Sequence, residues 1–151
     1  MITIQIAKNF QDVKVSLPRI KKLVKSICRR FQLTNAMVSI AIVDDIQMRK
    51  VNTRFLNRKA TTDCLSFDLS DEQASESDKS FELVVNGQLA LKEADLRGHN
   101  AEAELALYIT HGLLHNLGYD DSTGKQAKKM HEMEDKILQQ FGYVLMYNRK
   151  K

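Results

Sequence analysis

The sequence predicts one mixed α/β (α+β) domain: a layer of about four strands around a buried helix, with further helices flanking it. Three observations predict it. Apolar stretches of strand length alternate with segments of helical spacing, the chain closes on two consecutive helical segments, and no repeat or low-complexity linker divides it. At 151 residues, a single domain over 1–151 buries roughly two-thirds of its unfolded surface. Apolar residues at 43% and charged residues at 28% give the balance of an ordinary soluble globular protein.

Taken in order, Ile2–Ala7 (ITIQIA) alternates apolar and polar residues and reads as a strand. In Ser16–Phe31 the apolar Ile20, Leu23, Val24 and Ile27 fall at helical spacing, with Ser16 as N-cap and Pro18 in the first turn. Ala36–Asp45 is a near-continuous apolar run, which predicts a strand buried on both faces. A helix over about Ile46–Phe55 follows, then a short strand in Cys64–Ser70 and another in Phe81–Leu91, with Gly87 as an irregularity. Between those strands, SDEQASESDKS is acidic and lacks apolar anchors, so it reads as a mobile loop. Asn100–Gly118 is apolar on nearly every face, as a core helix is. Lys125–Phe141 forms the last helix, with Met130, Met133, Ile137 and Leu138 inward.

The net charge of +4 conceals an asymmetry. Residues 1–60 hold 13 Lys/Arg against three Asp/Glu (+10), residues 61–105 hold three against 11 (−8), and the remainder adds +2. A basic first third suits a polyanion such as RNA, although solvated helix faces account for it equally well. No apolar run approaches the roughly 20 residues that span a bilayer, and MITIQIAKNF lacks the order of a signal peptide. Cys28 and Cys64 have no CxxC spacing and are expected as reduced core thiols, so the expected compartment is the cytoplasm.

The stretch THGLLHNLGYDD carries the chemistry. Two histidines four apart, His111 and His115, project from one helix face. Gly118 can end that helix with φ > 0, and the turned chain then returns Asp121 as a third ligand. Three protein ligands leave one coordination position for water, the pattern of a hydrolytic zinc site. Zinc is therefore the expected cofactor, with Mn²⁺ or another harder ion as the alternative that the carboxylate favours. A plain structural role remains open: both histidines hydrogen-bonded in the core, and Asp120, Asp121 or Ser122 capping the next helix. Gly112 stands where HExxH proteases carry their glutamate base, which disfavours a peptidase.

These residues resemble a known signature. HGLLHNLGYDD is similar to the HGxLHLxGYDH motif of the YbeY family, bacterial endoribonucleases that mature ribosomal RNA. VNTRFLNRKATTDCLSF resembles the family's LNxxYRxKDxPTDVLSF segment, NGQLAL its GDIxIS strand, and KKMHEMEDKIL its closing helix. The resemblance implies a compact α/β metalloprotein with zinc on three side chains, here His111, His115 and Asp121. It also implies cleavage of single-stranded RNA, maturation of the 16S rRNA 3′ end, ribosome quality control and a partner in the small subunit; the expected oligomeric state is a monomer.

Four positions depart from the family pattern. Asp121 replaces its third histidine, Leu56 the arginine of its YR pair, Gln88 its strand aspartate, and Asn116 the leucine after the second histidine. Arg54, Arg58 and Lys59 are then the candidates for RNA contact. Asp63, Ser66 and Asp120 are candidates for supporting the site, with turn capping as the competing role. Thr62 and Phe67 match the same segment. Glu104 lies on the ligand face and is expected as a solvated acid rather than an acceptor for a ligand. Tyr119 is expected against the core and His131 on the surface. No general base is evident, so the catalytic residues stay unassigned. Two other functions fit the same residues: a non-catalytic ribosome-assembly factor with a structural metal, and a metal-dependent small-molecule hydrolase.

Overall fold

A computed structural model describes residues 1–143; positions 144–151 of the expected 1–151 domain lie outside them. The elements run β1 (Ile2–Lys8), α1 (Leu17–Arg30), β2 (Asn35–Val43), α2 (Asp45–Leu56), β3 (Cys64–Asp68), β4 (Asp78–Asn86), α3 (Gly87–Arg97), α4 (Ala101–Asn116) and α5 (Gly124–Gln140). The strands form one mixed sheet in the order β1-β2-β4-β3. β1 and β4 both run parallel to β2, and β3 returns antiparallel to β4, pairing Cys64 with Val85 and Asp68 with Phe81. A mixed α/β domain of four strands is thus the fold.

The register explains how the core divides. Val38, Ile40 and Ile42 of β2 share a face with Phe81, Leu83 and Val85 of β4, and they pack with α1, α4 and α5 in the main cluster. Val43, Val84 and Leu65 point the other way and meet Met48 of α2. Each strand therefore feeds two layers through period-2 alternation. Among the described residues α2 supplies the helical cover of the second face, and Met37 at the start of β2 is 39% exposed. The apolar run had suggested full burial on both faces; the structure corrects this for the first half of β2, where buried and open positions alternate.

Local signals set the helix starts. Ser16 caps α1 by accepting from the Arg19 amide at 3.4 Å, with Pro18 in the first turn. Thr123, rather than Asp121 or Ser122, caps α5, accepting from Gln126 N at 3.1 Å. The largest departure from the sequence reading is at Phe81–Leu91. The strand stops at Asn86, whose side chain accepts from Leu89 N at 2.9 Å and opens α3. Leu89, Ala90 and Leu91 looked like more strand, but a cap followed by strong helix formers turns the chain into a helix at Gly87. That extra helix packs on α4 and builds one wall of the site.

Candidate metal centre and its adjoining cavity

α4 is buried along most of its length, so its register is fixed by the core. It ends in a Schellman turn: Gly118 N bonds His115 O at 3.1 Å and Tyr119 N bonds Leu114 O at 2.9 Å. Gly118 takes φ +104, a left-handed conformation that a glycine adopts without strain. Phe31 meets Tyr119 edge-on at 6.0 Å and anchors the turn on the core, the place expected for that tyrosine. The chain then brings Asp121 back over the helix end.

His111 Nε2 and His115 Nε2 lie 3.1 Å apart, and Asp121 Oδ2 is 3.7 and 3.8 Å from them. All three ligand atoms fall within 4.8 Å of one another. Neighbouring ligand atoms on tetrahedral zinc sit about 3.3 Å apart, given bonds of about 2.0 Å. The three residues therefore fit one ion, with the side open toward Asp121, whose side chain is 46% exposed.

The other ring nitrogen of His111 is already committed. Nδ1 lies 2.5 Å from Glu134 Oε2 on α5, and Glu134 is only 3% exposed. A carboxylate behind an imidazole fixes the tautomer and aims Nε2 at the ion. Burial alone would lower the His111 pKa, yet the Glu134 hydrogen bond and charge, with Asp63 and Asp121, hold it above the ordinary imidazole value. His131 is half-exposed, as expected of a surface histidine, but its Nδ1 sits 3.4 Å from Glu134 Oε1. Glu134 was missed in the sequence because it lies 23 residues from His111. Its signal was present, however: an acid among the buried positions Met130, Ile137 and Leu138 of α5.

Glu104 also differs from expectation. It is fully buried rather than solvated, with His99 Nε2 at 2.5 Å from Oε1 and Arg97 Nη1 at 3.2 Å from Oε2. A buried carboxylate is retained only with such partners. It does not act as acceptor for a metal ligand; it holds Arg97. Burial first, then the charge of Glu104, pushes the neighbouring Tyr108 hydroxyl upward in pKa. Both residues line a cavity of about 500 Å³ whose wall includes His111 and Glu134.

The remaining candidates fall in different places. Asp63 lines that cavity, and its Oδ1 accepts from Cys64 N at 2.7 Å, so it does cap the turn. Ser66 sits on β3 against Gly112 of α4, and Phe67 meets Phe55 at 5.6 Å between ring centres. Asp120 spends its carboxylate on the turn, accepting from Asp121 N at 2.7 Å and Ser122 Oγ at 2.9 Å. Gln88 is in α3 instead of a strand and accepts from Asp45 N at 2.9 Å. Arg54, Arg58 and Lys59 are exposed at the end of α2 and in the loop leading to Thr62 and Asp63 of the cavity wall. Leu56, at the family's arginine position, is an exposed apolar residue on the same edge. Cys28 and Cys64 are free thiols, as expected.

Comparison with known proteins agrees with this architecture. The pattern of the family described as Endoribonuclease YbeY matches residues 5–142. An Endoribonuclease YbeY of Macrococcus caseolyticus is 31% identical over 149 residues, covering 94% of this chain and 97% of the relative. That of Protochlamydia amoebophila is 34% identical over 135 residues, covering 89% and 90%. A Thermotoga maritima protein solved in solution superposes with a TM-score of 0.65 at 25% identity, covering 93% of this chain and 89% of that one. With the matched segment running from β1 to the end of α5 and including the ligand helix, this chain belongs to the YbeY endoribonuclease family.

Proposed function

We propose that this protein is a metal-dependent endoribonuclease that hydrolyses phosphodiester bonds in single-stranded RNA, with His111, His115 and Asp121 as ligands of one zinc ion. The observation that supports it is the convergence of those three ligand atoms within 4.8 Å at an open surface position, in a chain of this family. Zinc held there would supply an acidified water and polarise the scissile phosphate. The chain's own contribution is positional. Glu134 keeps the His111 proton on Nδ1, so the ring offers Nε2 as a neutral donor. Asp121 adds one negative charge that a third histidine would not, and Mn²⁺ is the alternative ion on that account. Arg54, Arg58 and Lys59 hold the strand by its phosphates. In this reading the substrate is ribosomal RNA, including the 16S 3′ end. The partner is the small ribosomal subunit, the role extends to ribosome quality control, and the enzyme works in the cytoplasm as a monomer. Among the described residues, no helix is long and apolar enough to cross a membrane.

Purified protein is expected to cut single-stranded RNA, and both chelation and His115→Ala to abolish cutting. Product ends identify the nucleophile, because attack by the RNA 2′-hydroxyl leaves a cyclic phosphate. One observation favours a second reading, a ribosome-assembly factor whose metal only ties α4 to the following turn: exposed Leu56 leaves the edge beside the cavity without the family's arginine. Zinc bound at one equivalent with no cleavage of RNA selects that reading. Cleavage of model esters without salt-sensitive RNA binding selects small-molecule hydrolysis instead.

A further inference from the structure

We propose that the cavity beside the metal triad is a nucleobase pocket in which Glu93 and Arg97 read the hydrogen-bonding edge of one unpaired base, with guanine preferred. The proposal rests on the RNA-cleaving reading above and goes beyond it by assigning a specificity site. Its location comes first: His111 is both a member of the triad and part of the cavity wall. A nucleotide whose phosphate sits at the triad therefore has a neighbouring group within reach of the cavity.

Charge decides which part of the nucleotide enters. Among the described residues, four carboxylates (Asp63, Glu93, Glu104 and Glu134) line the space, against the guanidinium of Arg97 and the imidazoles of His111 and His131. A phosphate is repelled by that balance, whereas a neutral base is not. About 500 Å³ lies within the range of small-ligand sites. Leu89, Leu107 and Tyr108 supply apolar and aromatic surface for the faces of a ring.

The polar edge is fixed in advance. Arg97 Nη2 bonds Glu93 Oε1 at 3.2 Å, and Arg97 Nη1 bonds the buried Glu104 at 3.2 Å. His99 holds the second oxygen of Glu104, so the guanidinium is oriented from behind. Nη1 and Nη2 of Arg97 each carry two N–H donors, and each has one hydrogen bond to a carboxylate among the described residues, so the guanidinium retains donors for a further acceptor. Glu93 and Arg97 are each about a quarter exposed and set an acceptor beside a donor. Guanine matches that order: adjacent N1–H and N2–H donors for the carboxylate, and O6 for the guanidinium. A base-paired guanine has those groups occupied, so the pocket would also select unpaired RNA.

The test uses the full-length zinc-loaded protein and a pool of single-stranded RNA with randomised sequence, sequenced at the cut ends. Guanine should be enriched at one fixed position relative to the cut. Glu93→Gln should reduce that enrichment by roughly tenfold, the scale of one lost bidentate contact, with zinc content and Tm kept. Arg97→Gln should also reduce the enrichment, but with a lower Tm, since it takes the guanidinium from buried Glu104; a purely structural role for Glu93 and Arg97 predicts the preference intact in both variants. Cutting without base preference, or a preference unchanged by Glu93→Gln, overturns the proposal. If wild type does not cut RNA, the endonuclease reading fails on its own. Binding of guanosine 5′-monophosphate against ribose 5-phosphate then decides the pocket: tighter binding of the guanosine nucleotide supports it, and equal affinity overturns it.

Discussion

At the scale of single residues, Glu134 is the position that the proposed metal centre would depend on without a bond between its carboxylate and the ion. Its contact with His111 Nδ1 predicts that Glu134→Gln weakens zinc binding by roughly 10- to 100-fold, measured by competition with a chromogenic chelator. Full affinity in that variant would show that the imidazole is oriented by packing alone. The same pair makes a pH prediction for metal-free protein. The His111 pKa is raised in the fold, so the pair's stabilisation is complete below the ordinary imidazole value of about 6.5 and disappears as pH climbs through the raised value. Glu134→Gln should therefore cost more thermal stability in mildly acidic than in alkaline buffer. A cost independent of pH would remove the ion pair as its cause. For Asp121, elemental analysis is the measurement: wild type should carry one equivalent of zinc and Asp121→Ala should lose it, and full retention would refute Asp121 as a ligand. His111 and His115 were readable because helical geometry places i and i+4 together whatever the rest of the chain does. Glu134 and Glu104 were not, because their burial depends on tertiary packing of α5 and of α3, which no local spacing encodes.

At the scale of elements, the close approach of α4 to β3 matters most. A methyl group on Gly112 would come within 2.7 Å of Cys64 Sγ and 3.1 Å of Leu83 Cδ2. The glutamate that a peptidase carries at this position thus has no room, which gives the absence of that base a packing reason as well as a chemical one. Gly112→Ala should destabilise by about 1–3 kcal/mol in urea unfolding, and adding Cys64→Ala should recover part of it. No recovery would locate the strain at Leu83. A second tie joins α2 to β4. The Asp45 carboxyl is held at about 2, chiefly by its hydrogen bond from Arg49 and then from Thr61, with Asn86 adding to it. A depressed pKa means that this stabilisation is present above the usual value of 3.8 and is lost as pH falls toward 2. Asp45→Asn should accordingly flatten the acid limb of a Tm-against-pH curve; an identical limb would exclude Asp45 from acid unfolding. The strands β1 to β3 and the ligand helix were legible from period and caps. α3 was not, since its first apolar residues continue the β4 pattern and only the cap at Asn86 distinguishes them.

At the scale of the whole molecule, the proposed function assigns two tasks to two differently charged parts of the chain. The carboxylates that build the metal site and its cavity belong mostly to the acidic middle of the chain, while the cations cluster in residues 1–60 with +10. Phosphates of a bound strand gain little from the cavity, so their attraction must come from the basic surface. The end of α2 is the part of that surface joined most directly to the site along the chain, because the loop carrying Arg58 and Lys59 runs into Thr62 and Asp63 of the cavity wall. RNA affinity should therefore fall steeply with salt. On single strands each phosphate contact contributes about 0.7 to the slope of log K against log salt. Arg58→Ala should lower the slope by about that amount and weaken binding uniformly across sequences. It should leave the zinc content unchanged, since Arg58 lies outside the ligand set. A slope equal to wild type would remove Arg58 from the RNA path and shift the contact to Arg54 or Lys59. A slope near zero in wild type would mean that the basic third of the chain is only a solvated surface.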